Sequence, residues 1–159
     1  KWETAAEAIK AETLKRGWNE ERQTFVQHYD NDAVDASNLL IPLVGFLSDD
    51  DPRVVSTVAC IQRELQTGAL IYRYRLTETN GDITNDGGAS MLCSFWLVRV
   101  LVRQGKPEEA TKVFTDLLGC GNELGLFSEM VDPDTGAALG NFPHSSTHLA
   151  LILAARDLG

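Results

Sequence analysis

An all-α fold, with inner helices enclosed by outer ones, follows from three features of the 159-residue chain. Apolar residues recur at helical spacing in about six segments and show little strand-like alternation. In the second half, segments apolar on every side alternate with segments apolar on one side only, which suits concentric layers better than a four-helix bundle. No repeat, linker or low-complexity stretch divides the chain, so residues 1–159 are expected to form one domain.

The first helix is read from Trp2, Ala5, Ile9 and Thr13 and is expected to stop at Gly17, where glycine would tolerate positive φ. Thr24 to Tyr29 reads as a short extended piece. Asp35 can cap a second helix bearing Leu39, Leu40, Leu43, Val44 and Leu47, kinked or shortened by Pro42. The third begins at Asp51 as cap, with Pro52 at the position where a missing N–H costs nothing. Its Val54, Val58, Ile61 and Leu65 make one stripe.

The fourth helix, Ala89 to Gln104, carries apolar residues all round and should be surrounded by protein. Pro107, Glu108 and Glu109 open the fifth, with acids near the positive end of its dipole and a stripe of Ala110, Val113, Phe114 and Leu117. The sixth starts near Pro143 and runs through His148, Leu149, Leu151, Ile152 and Leu153.

A formal charge of -9 repels phosphate backbones and anionic headgroups, which argues against nucleic-acid and membrane partners and leaves neutral substrates open. The longest apolar run, around Met91 to Val102, is broken by Ser94 and Arg99 and is too short to span a bilayer. Cys60, Cys93 and Cys120 have no paired spacing and read as buried reduced thiols. A cytoplasmic protein fits these features best, with no apolar secretory segment in view.

Among possible chemistries, inverting glycoside hydrolysis needs one protonated acid and one water-activating carboxylate, about 6.5–9.5 Å apart. Glu129, in the loop Gly125-Leu126-Phe127-Ser128-Glu129 and expected to lie beside Phe127 and Phe142, has the character required of the second. Arg73, between Tyr72 and Tyr74, can pair with an acid, stack on a ring or grip a ligand. Trp96 reads as core rather than as a sugar platform.

No metal or cofactor is expected. His144 and His148 share a helix face, but no third ligand converges on them, and His148 reads as a hydrogen-bonded core residue. Asp30, Asp32 and Asp35, Asp49 to Asp51, and Asp82 to Asp86 lack the spaced loop ending in a bidentate glutamate that calcium requires. No nucleophile elbow, P-loop or dinucleotide fingerprint occurs.

Several stretches, taken in order, resemble bacterial proteins of glycoside hydrolase family 15. They are Asp35-Ala36-Ser37 with Leu39 to Leu47, Asp50-Asp51-Pro52-Arg53-Val54, Ile71-Tyr72-Arg73-Tyr74, Cys93-Ser94-Phe95-Trp96-Leu97-Val98, Gly125 to Glu129, and Leu139-Gly140-Asn141-Phe142-Pro143 with His148. The set covers nearly the whole chain and is similar to glucoamylase-like and trehalase-like enzymes. The resemblance implies a twelve-helix (α/α)6 barrel, of which this chain corresponds to the C-terminal half, six helices. It further implies inverting hydrolysis of an α-linked glucoside.

Glu129 matches the family's general base, and Arg73 the arginine of its Tyr-Arg-Tyr element, which contacts the sugar. Asn141 and His144 are taken as further substrate-binding residues. The general acid would lie upstream of this sequence, so a missing N-terminal half, or a second copy of the chain, is the expected partner.

Two departures bear on activity. Where relatives often read Glu-Gly-Ala-Phe, this chain has Gly87-Gly88-Ala89-Ser90; where they read Gln-Ala-Phe-Ser-His, it has His144-Ser145-Ser146-Thr147-His148. A carboxylate and two aromatics are absent from those positions. The alternatives are therefore a non-catalytic helical domain that binds carbohydrate or a protein partner, and a truncated product inactive alone.

Overall fold

The computed structural model describes residues 1–75 and 87–159, so Asp82 to Asp86, weighed above as a cation loop, lie outside the described residues. Six α-helices carry the fold, in agreement with the all-α expectation: α1 (Trp2–Arg16), α2 (Leu40–Leu43), α3 (Pro52–Leu65), α4 (Met91–Arg103), α5 (Pro107–Leu118) and α6 (Ser145–Leu158).

Helix α4 is the centre, packed against α5 and α6, with the 3-10 helix Ala36–Leu39 against its other flank. Its Met91, Cys93, Phe95, Leu97, Val98, Val100 and Leu101 are buried. Phe95 meets Phe114 and Phe127 edge-on, each at 6.0 Å between centroids. Two polar ties run through this apolar layer. Buried Ser94 Oγ accepts from the Ile71 N–H at 2.9 Å and donates to the Ser90 carbonyl at 2.7 Å. Arg99 Nε donates to Asp157 at 2.7 Å, fastening α4 to α6.

The α3 start is as expected: Asp51 accepts from the Arg53 N–H at 2.9 Å, and Val54, Val58, Ile61 and Leu65 face the core. Asp35 caps the 3-10 helix through the Ser37 N–H at 2.7 Å. The chain after it is helical only to Leu43, one residue beyond Pro42, and leaves through Gly45 at φ 73.

Several expectations are corrected. Gly17 ends α1 with φ -85, in the right-handed region; glycine is needed there because a Cβ would lie 2.8 Å from the Thr13 carbonyl oxygen. No α1 residue is buried and Trp2 is 85% exposed, so the stripe read as amphipathic finds no core among the described residues. Helix α6 buries Thr147, Ala150 and Ala154 while Leu149 and Ile152 stay 62% and 59% exposed. Helix α4 is not covered all round, because Leu92 and Trp96 line a cavity.

The strands are the other addition. Two-residue strands β1 (Trp18–Asn19) and β2 (Thr24–Phe25) form a hairpin, and β3 (Gln66–Thr67), β4 (Leu70–Ile71), β5 (Ala89–Ser90), β6 (Met130–Val131) and β7 (Ala138–Leu139) form an antiparallel sheet in chain order. Pieces this short have no alternation to detect. They matter because β4, β5, β6 and β7 bring the residues around Arg73, Ser90, Glu129 and Asn141 to one place.

Candidate active site

Glu129 immediately precedes β6, and its main chain is held from two sides. Its N–H donates to the Asn141 carbonyl at 2.9 Å, and its carbonyl accepts from the Met91 N–H, the first residue of α4, at 3.1 Å. The turn joining β6 to β7 closes on Asp132, whose Oδ1 accepts the Asp134 and Thr135 N–H groups at 2.9 and 3.1 Å. Those main-chain bonds hold the Asp132 carboxyl below its ordinary range. Gly136 supplies the positive φ, 72°, that the turn needs.

Just after β7, Asn141 returns to the glutamate. Its main-chain N–H and its Nδ2 both donate to Glu129 Oε2, at 3.0 and 2.8 Å. Oε1 has no hydrogen bond among the described residues. Gly140, at φ 72, permits this approach, since a Cβ there would stand 2.9 Å from Oε2.

The first turn of α6 ties down the same segment. The His144 N–H donates to the Phe127 carbonyl at 2.9 Å, the Phe127 N–H donates to His148 Nε2 at 3.2 Å, and the buried Thr147 hydroxyl donates to the Ser128 carbonyl at 3.1 Å. His148 is thus a hydrogen-bonded, half-buried ring that meets Phe127 edge-on, with 5.7 Å between centroids.

Glu129, Arg73 and His144 line one cavity of about 420 Å³, within the 300–1,000 Å³ range of small-molecule sites. Its other polar residues include Ser37 and Ser90, and Leu40, Leu92, Trp96, Met130 and Tyr74 add apolar wall. Arg73 is 63% exposed, with its guanidinium over the Tyr74 ring at 5.8 Å and its Nε 3.8 Å from Asp35, itself 6% exposed. The pairing, stacking and cavity-facing readings of Arg73 therefore coexist. Asn141 does not line the cavity; the amide expected on substrate is engaged by Glu129.

The aromatics differ from expectation. Phe127 is buried against Phe95, and Phe142 lines a separate hollow with Gly119 and Ala138. Neither flanks the cavity. Trp96, read as core, is half-buried on its wall, and Tyr74 joins it. The spacing of Leu92 and Trp96, four apart on α4, was the available signal for a shared open face. Asp35, read only as a cap, also anchors Arg73.

Gly87 and Ser90, the positions where the resemblance would put a carboxylate and an aromatic, lie on the cavity wall itself. Cys93 lines it too, but burial pushes its thiol up to about 11, which keeps it protonated and poorly nucleophilic near neutrality. Among the described residues no group of three or more His, Cys, Asp or Glu side chains is arranged to hold a metal, and no helix is long and apolar enough to cross a membrane.

The chain is 44% identical over 153 residues to the trehalase of Mycolicibacterium smegmatis, covering 96% of this chain and 23% of that protein. With the trehalase of Thermoplasma volcanium it is 34% identical over 158 residues, covering 99% and 25%. It thus spans about a quarter of the length of these relatives.

Among solved structures, a wild-type glycosidase superposes with a TM-score of 0.81 at 21% identity, covering 98% of this chain and 43% of that one. A variant glycosidase in complex with glucose superposes at 0.82 and 20% identity, with the same coverage. The six helices form about half of an (α/α)6 barrel. The family model for glycosyl hydrolases family 15 matches residues 1–156, and the chain belongs to that family.

Proposed function

We propose that residues 1–159 form a partial barrel domain supplying the water-activating side of an inverting glycoside hydrolase for α-glucosidic bonds of the trehalose or maltose class. The observation that carries this reading is the Glu129 carboxylate: Asn141 holds one oxygen, the other has no hydrogen bond among the described residues, and the residue lines a cavity with Arg73 and His144. Glu129 takes a proton from water as that water attacks the anomeric carbon. Arg73 and His144 hold the glucosyl unit. A protonated acid about 6.5–9.5 Å away donates to the leaving oxygen, and it comes from outside this chain.

The catalytic partner is therefore the remaining half of the barrel or a second copy of the chain, meeting apolar surface such as Leu149 and Ile152 on α6. The three free thiols accord with a reducing, cytoplasmic setting.

Glucose release from trehalose, maltose and short α-glucans by the assembled barrel tests the reading, with sugar binding measured in parallel. Glu129→Gln should lower turnover by about 10²- to 10⁴-fold, the usual worth of a positioned base, while binding persists. An unchanged rate would remove Glu129 from the mechanism. The second reading, sugar binding without turnover, is favoured by Gly87 and Ser90 on the cavity wall; binding in the absence of any glucose release would establish it.

A further inference from the structure

We infer that His144 is held in a single tautomer that presents Nε2 to the cavity as a hydrogen-bond acceptor, so that it selects for a sugar hydroxyl that donates. The inference rests on the reading of the cavity as a glucoside site and deepens it.

Thr147 Oγ1 is fully buried, lies 3.1 Å from the Ser128 carbonyl oxygen and 2.9 Å from His144 Nδ1. A hydroxyl has one proton to donate, and a carbonyl can only accept. The Thr147 proton therefore goes to Ser128, whose residue is itself 2% exposed and would otherwise lose this donor in a buried setting. The Thr147 oxygen is left as an acceptor, and the bond from His144 requires the imidazole proton on Nδ1. In the neutral ring Nε2 then carries a lone pair.

The alternative arrangement has Thr147 donating to Nδ1 and the proton on Nε2. It would place two acceptor oxygens, those of Thr147 and Ser128, 3.1 Å apart with no proton between them. The backbone position of the ring is set independently, by the His144 N–H on the Phe127 carbonyl at 2.9 Å.

This complements the rest of the cavity. Arg73 only donates, and the carboxylate of Glu129 only accepts. His144 adds an uncharged nitrogen acceptor to a wall that Glu129 and the hydroxyls of Ser37 and Ser90 also line. A sugar hydroxyl meeting Nε2 must donate, so a deoxy or O-methyl sugar at that position leaves the nitrogen unpaired. The ring acts on orientation and selectivity and takes no part in bond making.

The test uses the chain with nitrogen-15 in its histidines. Long-range proton–nitrogen spectra of His144 should show the proton on Nδ1; a proton on Nε2 overturns the assignment whatever the sugar result. In titrations with glucose and trehalose, His144→Gln, whose amide reaches the Nε2 position, should bind within about twofold of wild type. His144→Asn, which reaches only the Nδ1 position, should bind roughly three- to tenfold more weakly, as for one neutral hydrogen bond.

The reverse order would assign His144 a structural role only. One monodeoxyglucose should lose affinity against wild type and lose nothing further against His144→Asn, the mark of direct coupling; equal losses against both proteins overturn the contact. Absence of any sugar-dependent change in the wild-type chain overturns the glucoside reading of the cavity together with the binding role, whereas a proton on Nε2 overturns the His144 assignment alone.

Discussion

Asn141 grips Glu129 twice through a single oxygen: its main-chain N–H and its Nδ2 both fall on Oε2, at 3.0 and 2.8 Å. The two donors fix the plane of the carboxylate and divide its oxygens into one that is held and one that can act. A charge-assisted bond is stronger than a neutral one, yet Asn141 is exposed, so the gain is in orientation more than in stability.

Removing the side-chain donor should therefore separate catalysis from binding. For Asn141→Ala, turnover by the assembled barrel should fall about tenfold with KM within about twofold, since the base loses its orientation while the groups that hold the sugar stay in place. Steady-state kinetics on trehalose check this. An effect confined to KM would place Asn141 on the substrate instead.

Gly140 should tolerate no side chain. Alanine would occupy φ 72 and place its Cβ 2.9 Å from Glu129 Oε2 and 3.1 Å from Glu129 Cβ. Strain of this kind costs on the order of 1–3 kcal/mol. Urea unfolding of Gly140→Ala should show a loss in that range, and sugar-dependent signals from Glu129 should change with it.

Trp96 should report on the cavity. Of the three tryptophans, Trp2 is on the surface and Trp18 meets Phe25 at 5.2 Å in the first hairpin. Only Trp96 lines the cavity. Glucose should therefore alter the intrinsic fluorescence of the wild-type chain and leave that of Trp96→Phe unchanged. An equal response from the variant would place the sugar elsewhere.

The Arg99–Asp157 pair should be costly to break from one side. It joins α4 to α6 at 2.7 Å with 13% and 15% side-chain exposure. Asp157→Asn leaves a nearly buried guanidinium short of its counter-charge, which costs about 3 kcal/mol, the low end for such pairs. Replacing both partners by apolar residues of similar volume should cost less. Chemical denaturation of the single and double variants measures the difference.

Besides Asp132, three carboxyls held below their ordinary values should make the chain sensitive to acid. The Arg53 guanidinium lowers Asp51. Burial pushes Glu64 up, but hydrogen bonds from Arg63 and Arg22 outweigh it. Burial likewise pushes Asp157 up, and the hydrogen bonds from Arg99 and Arg156 outweigh it. All three lie below their ordinary values of 3.8 and 4.5. Their stabilising contribution is thus complete above the unfolded values and is lost as pH falls through the lower folded ones. Unfolding free energy should change little from these groups at pH 5–7 and drop below about pH 4.

Much of the architecture was legible in the sequence because it is carried by local rules. Asp51 and Pro52 announce the start of α3, the run from Met91 announces the central helix, and the Pro107-Glu108-Glu109 start of α5 falls where capping and dipole arguments put it. Glu129 and Arg73 were recognisable as candidates from motif resemblance and His144 from its place beside the motif, where it departs from the usual residue, and the fold gathers all three around one cavity.

What only the tertiary structure decided is which way side chains face and what occupies their polar atoms. Trp96 and Phe127 look alike as aromatics in apolar surroundings, yet one lines the cavity and the other is buried against Phe95, because the difference lies in what packs on each side of α4. Asn141 meets Glu129 across twelve residues of chain only because β6 and β7 pair in a given register, Met130 opposite Leu139. Helical periodicity is a property of neighbours along the chain. Register, facing and hydrogen-bond partnership are set by contacts between segments, whose geometry no single segment encodes.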